Sequence, residues 1–252
     1  MFKNPAANLI GRAILVSSIL LLILLAWIVL WVSDNSALHL LHIHDLCGGQ
    51  AASGTFMVIF IAGWTVMTVA MMLPTVFPLI IVFHKMISSR VDRYFLILLM
   101  MAGYLFIWVL FGFIVYWGFL GLNSLVSSSG LVPERVWGPL LLVLAGAFQL
   151  TNLKYRCLEK CRSPVSFVIE HWQGRRDMLN AFRLGFDNGI YCIGCCWALM
   201  LLMFIVGTGS LVWMLILAVF MAVEKNVAWG RKLSTPIGII LIGWGVILIV
   251  IH

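Results

Sequence analysis

Seven long apolar runs recur along this chain and leave it little choice of fold. They cover residues 10–32, 55–82, 94–120, 136–153, 190–207, 210–228 and 234–251. At ~1.5 Å per residue each is long enough to cross, as a helix, a hydrocarbon core of ~30 Å. A soluble domain cannot hide such surface, because 63% of the 252 residues are hydrophobic and only 10% are charged. The runs therefore predict an all-α, polytopic membrane helix bundle of about seven transmembrane helices, forming one integral-membrane domain over residues 1–252. Between the fifth and sixth runs only "GTGS", residues 207–210, remains, which suits a tight hairpin. The first run follows Lys3 and Arg12 and is too long for a signal-peptide core, with no A-x-A-like site close behind, so it reads as a retained helix.

A net charge of +7 would suit a nucleic-acid partner, but the positions of the basic residues argue for a lipid bilayer instead. They fall in short clusters between the apolar runs, as the positive-inside bias requires. With the N-terminus inside, Lys3, Arg12, the groups at 85–93 and 154–183, and Lys225, Arg231 and Lys232 share the inner face. Only Arg135 of the sixteen falls outside, and His252 then lies outside as well. The one sizeable non-spanning stretch is the inner-face loop 154–189. There Phe167, Ile169, Trp172, Leu179, Phe182 and Phe186 alternate with charge. That pattern fits short helices on the inner surface, or else a solvated connector.

Sulfur is distributed unevenly. Cys47 lies outside, Cys157 and Cys161 just inside the fourth span, and Cys192, Cys195 and Cys196 in the fifth. A structural disulfide framework would gather on the oxidising face, and five of the six cysteines are elsewhere. In "KYRCLEKCR" the two thiols are four residues apart. They share a face if the fourth helix runs on past the bilayer, and would then clasp a soft ion or remain a plain reduced pair. In "YCIGCCWALMLLMF", residues 191–204, Cys192, Cys196 and Met200 follow i, i+4, i+8 with Met203 beyond, a stripe of thiols and thioethers along one helix face. Soft ligands of this kind select Cu(I) over harder ions.

The second span carries "WTVMTVAMMLP", residues 64–74, with Met67, Met71 and Met72 placed at the depth of Met200 and Cys196 if the two spans run antiparallel. Trp64, Met67 and Met71 share a face, and Pro74 and Pro78 predict a broken helix of the kind that lines a site. Methionine is also an ordinary apolar filler, so the block alone does not choose between packing and ligation. Outside the membrane, "LHLLHIHDLC" sets His39, His42, His44, Asp45 and Cys47 within residues 38–47, a plausible copper or zinc site on chemistry alone. Glu224 and Lys225, near the inner end of the sixth span, are either an intramembrane pathway or interfacial. No G-x-x-x-x-G-K-[ST] loop is present, so the sequence gives no reason to read an ATP-driven pump.

Taken together, "WTVMTVAMMLP", "CLEKCRSP" and "GIYCIGCCWALMLLMFIVGTGSLVWM" followed by "EK" resemble the blocks of a bacterial integral-membrane family long labelled predicted metal-binding. That family includes a membrane copper chaperone serving a tyrosinase. The resemblance spans roughly residues 55–250 and implies copper handling in the bacterial inner membrane; the outer histidine segment is not part of it. The resulting expectation is a multi-pass copper chaperone that takes Cu(I) into a Met67, Met71, Met72, Cys192, Cys195, Cys196 and Met200 site. Cys157 and Cys161 would form an inner holding pair, and His39, His42, His44 and Cys47 an outer release site to a partner cuproenzyme. Two rivals stay open: a thiol–disulfide oxidoreductase using Cys192-x-x-Cys195, and an accessory subunit of a larger membrane complex in which Met and Trp merely pack.

Overall fold

A computed structural model of the chain describes residues 5–35, 54–129, 134–172, 177–206 and 211–251. Every regular element among them is helical: α1 (Pro5–Asn35), α2 (Gly54–Met86), α3 (Arg93–Ser129), α4 (Glu134–Gln149), α5 (Asn152–Arg162), α6 (Pro164–His171), α7 (Asp177–Val206), α8 (Leu211–Asn226) and α9 (Ser234–Ile251), with a 3₁₀ turn at Gly230–Leu233. The all-α reading therefore holds. Five helical segments are long and apolar enough to cross a membrane: Ala13–Val32, Gly54–Met86, Arg93–Leu122, Asp177–Met203 and Gly230–Ile251. The expected fourth and sixth spans are represented by α4 and α8, of 16 residues each. At ~1.5 Å per residue such helices reach only about 24 Å, less than a full hydrocarbon core. Among the described residues five long apolar helices are thus shown; α4 and α8 border residues outside that set, and the count of seven is not confirmed.

Three local expectations change. The fourth helix does not run on past the bilayer. It stops at Gln149, and Thr151, extended at φ −77° and ψ 146°, starts α5 afresh by accepting from the Lys154 amide. The helix of the expected fifth span begins at Asp177 rather than near residue 190. Arg183, Asp187 and Asn188 interrupt its hydropathy, but Arg183 pairs with Asp187 one turn on at 3.5 Å while Ala181 and Leu184 are fully buried. Finally, α2 continues through Pro74 and Pro78 instead of breaking. Proline is tolerated in spanning helices where neighbouring groups take up the freed backbone positions, and Thr75 Oγ1 donates to the Met72 carbonyl at 2.7 Å in this very turn. The stretch 154–189 thus consists largely of α5, α6 and the first turns of α7.

The tightest helix pair is α3 with α7. A Cβ on Gly185 would sit 1.8 Å from the Met100 carbonyl oxygen, and one on Gly103 2.2 Å from that of Phe182. Only glycine permits such backbone approach, the usual device where lipid tails supply no hydrophobic drive between helices. Around this pair α2, α5 and α8 close a core in which sulfur is prominent: Met67, Met71, Met72, Met100, Cys192, Cys195, Cys196, Met200, Met203, Met214 and Met221 are all buried. Large apolar side chains such as Leu21, Leu24 and Leu25 on α1 and Ile239, Ile240 and Ile251 on α9 point outward, as a lipid-facing surface requires.

Candidate metal site

The site is assembled where α2, α7 and α8 meet beneath α3 and α5. On α2, Trp64 Nε1 donates to the Trp108 carbonyl of α3 at 2.9 Å, and Thr68 Oγ1 donates to the Trp64 carbonyl at 2.8 Å. The bond to Trp108 fixes the rotation of α2 against α3. Met71 and Met72 are then fully buried and Met67 nearly so. On α7, Cys192, Cys195, Cys196 and Met200 are buried in the same core. The contact that joins the two helices is Met72 with Cys192, thioether and thiol 3.9 Å apart. Thr75, one turn on from Met72, lines a pocket with Cys192, and Met67 and Met71 share the core without carrying this contact.

Cys192 is the hub. Its Sγ also meets Lys225 Nζ of α8 at 2.9 Å and the Tyr104 hydroxyl of α3 at 3.0 Å. Lys225 Nζ in turn donates to Thr75 Oγ1 at 3.3 Å. Cys195 and Cys196 have their sulfurs 3.3 Å apart, and the Cys195 thiol donates to the Cys192 carbonyl at 3.2 Å. The inner pair is close by. Cys161 meets the Cys195 thiol and lines a small pocket with Thr75, Val76, Asn188, Cys192 and Lys225. Cys157 packs against Gly194, where an added Cβ would lie 2.6 Å from its sulfur. Partial burial pushes the Cys157 thiol above its ordinary pKa. All five of these cysteines are free thiols.

Among the described residues no three His, Cys, Asp or Glu side chains converge as a metal-binding group. A metal here would have to combine thiol with thioether, a donor set that suits a soft ion. The Met72–Cys192 spacing allows it: with metal–sulfur bonds of about 2.3 Å, two sulfurs 3.9 Å apart subtend roughly 115° at the ion, a trigonal rather than linear angle. The Cys195–Cys196 spacing of 3.3 Å would require an angle near 90° at the same bond length, a poorer fit.

Several residues that build this site carry little signal in the sequence. Tyr104 is one hydroxyl in a long apolar run, legible only through the rule that a buried phenol needs a partner. Lys154 counts as an inner flanking charge, yet it is fully buried and pairs with Glu224 at 2.5 Å. Gln149 accepts from Lys154, and Ser234 donates to Glu224. Arg162 closes the end of α8 by donating to the Glu224 and Ala228 carbonyls at 2.6 and 2.9 Å. Glu224 and Lys225 are therefore buried inside the bundle. The segment bearing His39, His42, His44, Asp45 and Cys47, and the "GTGS" hairpin, lie outside the described residues.

Comparison with curated proteins and with solved structures gives no match. A family model described as PpoB2, copper chaperone, matches residues 61–248. That interval holds the methionine block, both cysteine groups and Lys225, and leaves out the outer histidines. It covers well over half of the 252 residues, and the chain belongs to the PpoB2 copper chaperone family.

Proposed function

We propose that this copper chaperone holds Cu(I) inside the bilayer through Met and Cys sulfurs and passes it to a partner cuproenzyme. The observation that carries the reading is the fully buried approach of the Met72 thioether to the Cys192 thiol, with Cys161, Cys195 and Cys196 around it. Copper is cargo in this scheme, not a resident cofactor, and its carriage requires no turnover of a substrate. Cys192 and Met72 supply the first two donors. Cys195 and Cys196 offer further thiols, and Met67, Met71 and Met200 extend the soft lining along the membrane normal. Cys157 and Cys161 on α5 receive the ion from the inner face, and His39, His42, His44 and Cys47 form the outer exit. The basic-residue asymmetry supports an inner-membrane orientation with the N-terminus in the cytoplasm.

The test is the metal content of the full-length protein purified under reducing conditions. Cu(I) should bind in preference to Zn(II), since sulfur donors dominate the buried positions. Replacing Cys192, Cys195 and Cys196 together by Ser should abolish or greatly weaken binding. An unchanged copper stoichiometry in the triple variant would remove the α7 site from the scheme.

A further inference from the structure

The feature left unused by this scheme is a buried cation. Lys225 is only 5% exposed, yet among the described residues its ammonium forms no ion pair with a carboxylate. Its chain neighbour Glu224 cannot serve, because successive helical residues diverge by about 100° and Glu224 is already engaged by Lys154 and Ser234. The partners of Lys225 are instead the Thr75 hydroxyl and the Cys192 thiol, at 3.3 and 2.9 Å. An ammonium so far from water is costly unless something requires it there.

We infer that Lys225 is a placeholder cation, occupying the cargo's position on Cys192 until Cu(I) displaces it. The inference rests on the reading that Cys192 is a copper ligand. Lys225 Nζ stands on the same sulfur that Met72 approaches, so the ammonium and a monovalent metal ion compete for one donor. Both carry a single positive charge, and like charges on one buried sulfur repel strongly in a medium of low polarity. When the ion takes Cys192 as the thiolate, the thiol proton leaving to solvent, the flexible lysine stem can withdraw its head along the pocket, where Thr75 and Asn188 offer oxygen acceptors. The returning ammonium then helps to expel the ion. A chaperone must release what it binds, and a resident competitor lowers affinity without removing a ligand.

The experiment measures Cu(I) affinity of the full-length protein in detergent, under reducing conditions, by competition with a chromogenic Cu(I) chelator. Three forms are compared: wild type, Lys225→Leu and Lys225→Arg. Leucine keeps part of the apolar stem and brings neither a charge nor a metal-binding atom. It should tighten Cu(I) binding by ~10-fold or more and slow its release to the chelator. Arginine keeps the charge and should stay within about 3-fold of wild type. Equal or weaker binding by Lys225→Leu would overturn the inference, since it would make Lys225 a support for the ligand rather than its competitor. Tightening by Lys225→Arg to the level of Lys225→Leu would overturn it too. Wild-type protein that binds no Cu(I) would instead defeat the copper-site reading itself, and the placeholder with it.

Discussion

The Lys154–Glu224 pair ties α5 to α8 inside the core, and its removal should be costly in an asymmetric way. The two charged groups are 2.5 Å apart with side chains 0% and 1% exposed. Gln149 and Ser234 complete the network, while the second carboxylate oxygen of Glu224 has no hydrogen-bond partner. Lys154→Met would leave a buried carboxylate supported by one hydroxyl. Stranding one charge of a buried pair costs about 3–5 kcal/mol. For a chain of this size each kcal/mol moves Tm by about 2–4 °C, so a fall of about 6–20 °C is expected. Glu224→Leu strands the ammonium instead and should cost a similar amount. The double variant Lys154→Met/Glu224→Leu removes both charges and fills the space with apolar atoms, which is commonly neutral or stabilising by about 1–4 kcal/mol. Thermal unfolding of the four proteins in one detergent closes the cycle. Were Lys154→Met no less stable than the double variant, the pair would not be a desolvated ion pair and the argument for this network would fail.

Three further outcomes follow from the packing and the charge pattern. Met72→Leu conserves volume and should lower stability by under ~1.5 kcal/mol while weakening Cu(I) binding; chelator competition beside a thermal melt separates the two effects. Gly185→Ala forces a Cβ to within 1.8 Å of the Met100 carbonyl oxygen unless α3 and α7 part. Overpacking of this kind costs about 1–3 kcal/mol or more, whereas Gly54→Ala, with nothing within 4 Å, should leave the melt unchanged. A reporter active only in the cytoplasm should work when fused after Arg93 or Arg176 and stay silent after Asp45 or His252; activity after His252 would require an even number of spans.

What could be read from the chain alone is what depends on local, additive properties. Hydropathy sums along a run, so the membrane class, the all-helical fold and the extents of α2 and α3 near 55–82 and 94–120 were legible before any packing was known. Spacing along one helix likewise placed Cys192, Cys196 and Met200 on a stripe, and the motif blocks pointed to copper. Hydropathy erred where polar residues are matched inside the bundle. Arg183 and Asp187 concealed the first turns of α7, and Thr151 restarted a helix that composition alone would have continued. Convergence was decided only in three dimensions. Nothing local says that Met72 rather than Met71 reaches Cys192, or that Tyr104, distant in sequence, does as well. The rotation of each helix sets these contacts, and that rotation follows from backbone approach at Gly103 and Gly185 and from the Trp64–Trp108 bond. The same holds for Glu224 and Lys225. Adjacent in the chain, they point to different partners because a helix turns about 100° per residue, which gives one an ion pair and leaves the other on a thiol.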